Sequence, residues 1–347
     1  MMKPLKRVFS IQSIFFACAL TVWTAVESAF AANARIRVNG NDTVLNWESE
    51  LGATYAVEQN ASIASNGWQT IATNLAANSS GTNEFIITNA LVQWPARFFR
   101  VSTGAMSFTF SWTGTNFTYS DATRTFDGIM LKPPGPGPFP AVIIHHGAGG
   151  TATGYSLPKA REMSAWGMAC IAPTLTHTAG GETNPVNMGF CPENLARTTA
   201  CLGVLLGLPY VDTNRLAIFG HSMGAFATIG DAAALPGRFR AASITSGGII
   251  PDAAGTANAA PTVTEANPDR TPFIMFYCDA DPVVPPMRSQ LFQQVLNSNS
   301  VPNLRILYSS NSISNPSNWH NIHQDTAINA DLLTNTFQWF RSQGVLP

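Results

Sequence analysis

Five residues, Gly220-His221-Ser222-Met223-Gly224, have the types and spacing that expose a serine hydroxyl for attack on a carbonyl. Leu216-Ala217-Ile218-Phe219 before them reads as a buried strand, and the Ala-rich run from Ala225 to Leu235 reads as a helix. A serine on so sharp a turn needs neighbours without a Cβ, and the flanking glycines meet that need. The turn sets the hydroxyl at a helix N-terminus, where free N–H groups and the dipole favour developing negative charge. A serine hydroxyl is a weak nucleophile, so it needs a base that is itself oriented by a third group. The histidines are His145, His146, His177, His221, His320 and His323, and they form no metal-spaced cluster. For the third group, the apolar run Phe273 to Tyr277 leads into Cys278-Asp279-Ala280-Asp281, which puts two carboxylates at a strand end.

The elements that must hold these groups alternate. Val142-Ile143-Ile144 reads as a buried strand, Leu157 to Trp166 as a helix, Met168 to Ala172 as a strand and Glu193 to Leu206 as a helix. Ala241 to Thr245, Phe273 to Tyr277 and Leu304 to Tyr308 are further strands, and Asp325 to Arg341 closes with a helix. Continuous apolar strands alternating with helices predict an α/β fold, a mostly parallel sheet with helices on both faces. Residues 106 to 131 alternate like paired strands and precede the turn-rich Pro133-Pro134-Gly135-Pro136-Gly137-Pro138. Residues 35 to 103 differ in character. Short runs such as Val44 to Trp47, Tyr55 to Glu58, Trp68 to Ile71, Phe85 to Ile87 and Phe98 to Val101 are separated by Asn, Gly and Ser. That pattern predicts a small all-β sandwich, with Trp47 and Trp68 in its core.

The first residues read as a leader. Lys3, Lys6 and Arg7 precede an apolar stretch from Val8 to Val26, and Ala29-Phe30-Ala31 is a small-x-small cleavage pattern. The expectation is a signal peptide over residues 1–31, a secreted or periplasmic protein, and no stable membrane insertion. The 347 residues are 45% hydrophobic and 11% charged, with a formal net charge of −1. No basic stripe is visible, so nucleic acid is not an expected partner. Cys170, Cys191, Cys201 and Cys278 fit no zinc motif or disulfide framework. Cys191 and Cys201 would be about 15 Å apart along a helix, too far for a bridge, and Cys170 and Cys278 sit in apolar runs as buried thiols.

Gly220 to Gly224 resembles the nucleophile elbow of α/β-hydrolases. Phe126-Asp127-Gly128-Ile129 and Pro138-Phe139-Pro140-Ala141-Val142-Ile143-Ile144-His145-His146-Gly147 resemble the dienelactone-hydrolase-like and prolyl-oligopeptidase-like branch. The resemblance covers residues 106–347. Dienelactone hydrolases themselves carry cysteine where this chain has Ser222, and Ala225 stands where many relatives have a third glycine. The resemblance implies that the acid and base follow the nucleophile in chain order. Asp281 matches the D-x-x-V-P turn of the family, which leaves Asp279 as a turn cap. Trp319-His320-Asn321-Ile322-His323-Gln324-Asp325 resembles a closing motif whose first histidine is catalytic, although Trp319 replaces a glycine. It implies His320 as base and leaves His323 to cap or hydrogen-bond at the helix start. The loop His146-Gly147-Ala148-Gly149-Gly150 corresponds to the oxyanion loop, which implies the backbone N–H groups of Met223 and Ala148 as the oxyanion hole. Residues 35–103 resemble fibronectin-type-III-like modules of secreted bacterial proteins, which implies a role in spacing or docking, with a surface or a glycan as a possible contact.

The expected function is therefore hydrolysis of a carboxylic ester through an acyl-enzyme on Ser222, with no metal or organic cofactor. In this fold, caps enter where Ile249 to Arg270 lies. That segment is too short for a helical lid, which predicts an open cleft for a small-molecule or polymeric ester. Two other classes stay open: a serine peptidase of the prolyl-oligopeptidase type, and a non-catalytic binding or adhesion protein.

Overall fold

The structure, a computed structural model, describes residues 34–48, 54–60, 69–76, 82–88, 98–103, 108–121, 123–254 and 259–347. The expected leader and Trp68 lie outside the described residues. The chain divides into two compact units, Met1–Met106 and Ser107–Pro347.

The first unit contains β1 (Ala34–Asn39), β2 (Asp42–Glu48), β3 (Thr54–Asn60), β4 (Gln69–Ala76), β5 (Thr82–Ile87) and β6 (Phe98–Thr103). They form two antiparallel sheets, in the orders β1-β2-β5 and β4-β3-β6. Period-two alternation turns Leu45 and Trp47 of β2, Tyr55 and Val57 of β3, and Phe99 and Val101 of β6 into one shared core. Trp47 is 1% exposed and meets Tyr55 edge-on at 5.6 Å, so its ring fills the sandwich and presents no face to a ligand.

The second unit is built on one sheet. Its strands are β7 (Thr109–Thr113), β8 (Asn116–Ser120), β9 (Thr125–Leu131), β10 (Phe139–His145), β11 (Ala169–Pro173), β12 (Val211–His221), β13 (Ala241–Thr245), β14 (Phe273–Cys278) and β15 (Asn303–Tyr308). The order is β7-β8-β9-β11-β10-β12-β13-β14-β15. The strands from β11 to β15 run parallel, while β7, β8 and β9 join as antiparallel neighbours. The helices are α1 (Leu157–Ala165), α2 (Pro192–Gly207), α3 (Met223–Ala234), α4 (Val263–Ala266), α5 (Met287–Ser298) and α6 (Thr326–Ser342).

Both faces of the sheet are covered, which explains why its central strands are apolar throughout. Ala141 and Ile143 of β10 join Ile171, Ile218 and Ile244 in a core with α2, α3 and α5. Their neighbours Val142 and Ile144 join Cys170, Phe219 and Phe276 in a second core with α1 and α6. Helix α5 was not anticipated from sequence. It starts directly from Pro285-Pro286, has no side-chain cap, and buries only Ser289, Phe292, Val295 and Leu296 of its 12 residues. Among its described residues the Ile249–Arg270 segment carries a 3₁₀ turn at Asp252–Ala254 and the one-turn α4, and its Ile250, Ala259 and Ala260 pack with Phe226 and Val284. The chain leaves β10 for β11 on one side and returns to β12 on the other. Such a switch point opens a crevice at the C-terminal strand ends.

Candidate active site

The turn between β12 and α3 is strained at the serine. Ser222 has φ 52° and ψ −119°, a conformation L-residues seldom hold without support. Support comes from Ser222 N–H donating to Thr245 O at 2.9 Å, and from Ser222 O accepting from Ala225 N–H and Phe226 N–H at 2.9 and 3.1 Å. The flanking glycines are sterically required. A Cβ on Gly220 would lie 2.4 Å from Gly224 O, and one on Gly224 would lie 2.4 Å from His146 O. Ala225 is accommodated because Gly247 faces it; a Cβ there would come within 2.4 Å of the Ala225 methyl.

Three residues far apart in sequence meet here. His320 Nε2 lies 2.7 Å from Ser222 Oγ, and His320 Nδ1 lies 2.9 and 3.0 Å from the two Asp281 oxygens. An ionised Asp281 accepts from Nδ1–H, leaving Nε2 to accept the serine hydroxyl proton. Asp281 Oδ1 is fixed by the N–H groups of Val283 and Val284 at 2.8 and 2.9 Å. Asp279 turns away, and its Oδ1 accepts from Ser310 N–H at 2.7 Å.

His323 does not cap the helix, contrary to expectation. Asp325 is the N-cap of α6, accepting from Ala327 N–H and Ile328 N–H at 3.1 and 3.2 Å. The His323 ring instead packs at 4.4 Å from His221 and 5.1 Å from Tyr155. Among the described residues its Nδ1 has no hydrogen-bond partner.

The remaining histidines hold the framework. His221 bridges the elbow to the loop of His320, with Nδ1 3.0 Å from Thr245 Oγ1 and Nε2 3.1 Å from Asn321 Oδ1. Burial, then the neighbouring His323, holds its pKa well below the usual imidazole range. Ser246 Oγ–H donates to His320 O at 2.7 Å, which fixes the backbone at His320. Thr245, Ser246 and Asn321 escaped the sequence reading, because lone polar residues at strand and loop ends carry no motif.

Gly147 packs so closely on the elbow that a Cβ would come within 3.2 Å of Ser222 Cβ. His177 Nε2–H donates to His146 O at 2.9 Å, and Gly149 N–H donates to His177 O at 2.9 Å. His146 Nε2 accepts from Leu175 N–H at 2.9 Å. Burial lowers the pKa of both rings, that of His177 to about 3, which keeps them neutral and able to accept. Ala148 and Met223 both line the cavity beside Ser222, whose volume is about 770 Å³. Met223 opens α3, so its N–H has no acceptor within the helix. Other lining residues are Thr151, Tyr155, Phe226, Ala259, Val284 and Arg288. Four of the five cysteines, Cys170, Cys191, Cys201 and Cys278, are buried and form no disulfide among the described residues.

A sequence profile described as Phospholipase/Carboxylesterase matches residues 193–318. No curated protein matches the chain by sequence. Among solved structures, a dienelactone hydrolase candidate from Klebsiella pneumoniae subsp. pneumoniae is 17% identical with a TM-score of 0.54, covering 68% of this chain and 99% of that one. A thermophilic esterase from Thermogutta terrifontis is 14% identical with a TM-score of 0.52, covering 65% and 90%. An acetyl ester-xyloside bifunctional hydrolase from Caldicellulosiruptor lactoaceticus is 14% identical with a TM-score of 0.51, covering 65% and 90%. With the sheet order, the elbow and these similarities together, Ser107–Pro347 is a domain of the α/β-hydrolase fold, preceded in the chain by a β-sandwich module.

Proposed function

We propose that the chain is a serine-dependent carboxylic-ester hydrolase, exported by a leader over residues 1–31. The observation that carries the reading is the unbroken path from Asp281 through His320 to a strained Ser222 at a cavity wall. His320 Nε2 takes the hydroxyl proton as Ser222 Oγ attacks the ester carbonyl, and Asp281 stabilises the imidazolium that forms. The developing oxyanion accepts from the N–H groups of Met223 and Ala148. Protonated His320 then delivers its proton to the leaving alkoxide. Water, deprotonated by the same nitrogen, attacks the acyl-enzyme and releases the acid and free Ser222. These steps draw on groups of the chain alone. The esterase and the acetyl-ester hydrolase among the similar structures agree with this chemistry.

A peptidase that grips a peptide amine needs a carboxylate beside the nucleophile. Among the described residues lining the cavity there is none, which favours an ester. The test uses purified protein on p-nitrophenyl acetate, butyrate and octanoate, beside Ser222→Ala. The expected result is turnover that falls by about 10⁴-fold or more in the variant, with covalent labelling of the wild type alone by a fluorophosphonate. A folded wild type that neither turns over these esters nor takes the label would refute the hydrolase reading.

A further inference from the structure

The cavity beside Ser222 has an unbalanced charge. Among its described lining residues Arg288 is the only Lys, Arg, Asp or Glu. Gly255, Thr256, Ala257 and Asn258, which join Ala254 to Ala259 in the chain and lie outside the described residues, are uncharged by type. Arg124, Arg197 and Arg215 pair with the carboxylates of Asp121, Glu193 and Asp212, while Arg240, Arg270 and Arg305 donate to backbone carbonyls or a hydroxyl. Arg288 pairs with no carboxylate among the described residues. Its guanidinium lies over the Phe226 ring, 5.9 Å from the centroid. Phe226 is itself bound to the nucleophile turn, its N–H donating to Ser222 O.

The position is poor for helix stability. Arg288 is the second residue of α5, whose first turn holds no acidic residue, and a cation there opposes the helix dipole. Its backbone is nevertheless held tightly. Arg288 O accepts from Ile249 N–H at 3.2 Å, and a Cβ on Gly248 would lie 2.5 Å from the Arg288 carbonyl carbon. A half-buried, unpaired guanidinium on a fixed backbone, partly desolvated beside an aromatic ring, is arranged to receive an anion. A planar fork matches a carboxylate through two parallel hydrogen bonds.

We propose that Arg288 is a specificity residue that binds a free carboxylate of the substrate, so that the preferred esters carry a negative charge away from the scissile bond. This rests on the ester-hydrolase reading above. The carboxylate can stand on the acyl side or on the alcohol side. Monomethyl adipate against dimethyl adipate probes the first, and 4-acetoxybutanoate against methyl 4-acetoxybutanoate the second.

The readout is the ratio of kcat/KM for the charged ester to that for its neutral partner, in wild type, Arg288→Gln and Arg288→Lys. In at least one pair the wild type is expected to favour the charged ester or treat both alike. Arg288→Gln is expected to lower that ratio by about 10- to 100-fold, the range for a lost charge-assisted hydrogen bond. Arg288→Lys, which keeps the charge without the fork, falls between. Because Arg288 opposes the helix dipole, Arg288→Gln is expected to keep the wild-type Tm. A ratio unchanged by Arg288→Gln in both pairs overturns the proposal. So does a wild type that prefers the neutral ester by about tenfold or more in both pairs, which needs no variant. Turnover of neutral esters that is lost in Ser222→Ala leaves the hydrolase reading standing in either case. Absence of turnover on all four esters counts against both.

Discussion

Removing the imidazole of His320 and removing that of His323 should have very different effects, although the two lie three residues apart. His320→Ala takes away the group 2.7 Å from Ser222 Oγ and should lower kcat by about 10⁴-fold or more. His323→Ala removes a ring packed on His221 and Tyr155 and should lower kcat less than about tenfold. Steady-state kinetics on p-nitrophenyl butyrate distinguishes them, and comparable losses in both would mean that the base is misassigned. Asp281 and Asp279 form a similar pair, since only Asp281 touches His320. At this scale the sequence was informative where the chemistry dictates residue type. Ser222 was singled out by the elbow pattern between a strand and a helix, and Asp281 and His320 by the resemblance of their turns to the D-x-x-V-P and closing-histidine motifs. The partners of His221 could not be read, because Thr245 and Asn321 reach it only through the fold. The cap of α6 was readable and was misread: Asp325 just before Thr326-Ala327-Ile328 is an N-cap signal.

Between elements, one buried cluster ties α2 and α3 to β10. Thr198 Oγ1–H donates to Asp231 Oδ2 at 2.5 Å, and His145 Nε2 lies 3.0 Å from Thr198 Oγ1. Burial pushes the Asp231 carboxyl up to about 8 and lowers the His145 pKa to about 3, so both are neutral near neutral pH. A carboxyl whose folded pKa is raised contributes stability that is complete below its unfolded value of about 3.9. That contribution disappears as pH rises through 8. Asp231→Asn cannot ionise, so its Tm should exceed that of wild type by a margin that grows from about pH 5 to about pH 9. Scanning calorimetry over that range measures it, and a constant difference would show that Asp231 does not titrate there. The central strands β10, β11 and β14 were legible because each is an apolar run, as burial on two faces demands. Helix α5 was not, because only a narrow stripe of Phe292, Val295 and Leu296 is buried among polar residues, and Pro286 stands where a capping side chain would signal its start.

For the molecule as a whole, the unit Ser107–Pro347 carries its own two cores and all three members of the candidate triad. A chain of residues 107–347 should therefore fold and keep kcat within about threefold of the full chain on a small soluble ester such as p-nitrophenyl acetate. Loss of cooperative unfolding in that fragment would show that the sandwich is needed for stability. The division was readable because composition changes where the Asn, Gly and Ser turns of the first unit give way to strand and helix alternation. The positive φ of Ser222 also bears on heritable change at that position. Glycine has no Cβ to strain there, so Ser222→Gly should be more stable than wild type by about 1 kcal/mol, while Ser222→Ala keeps the Cβ and should gain little. Thermal unfolding of the two variants tests this. Turnover and durability then pull in opposite directions at one codon. A lineage released from the proposed reaction would drift most readily at Ser222, where the backbone itself favours glycine.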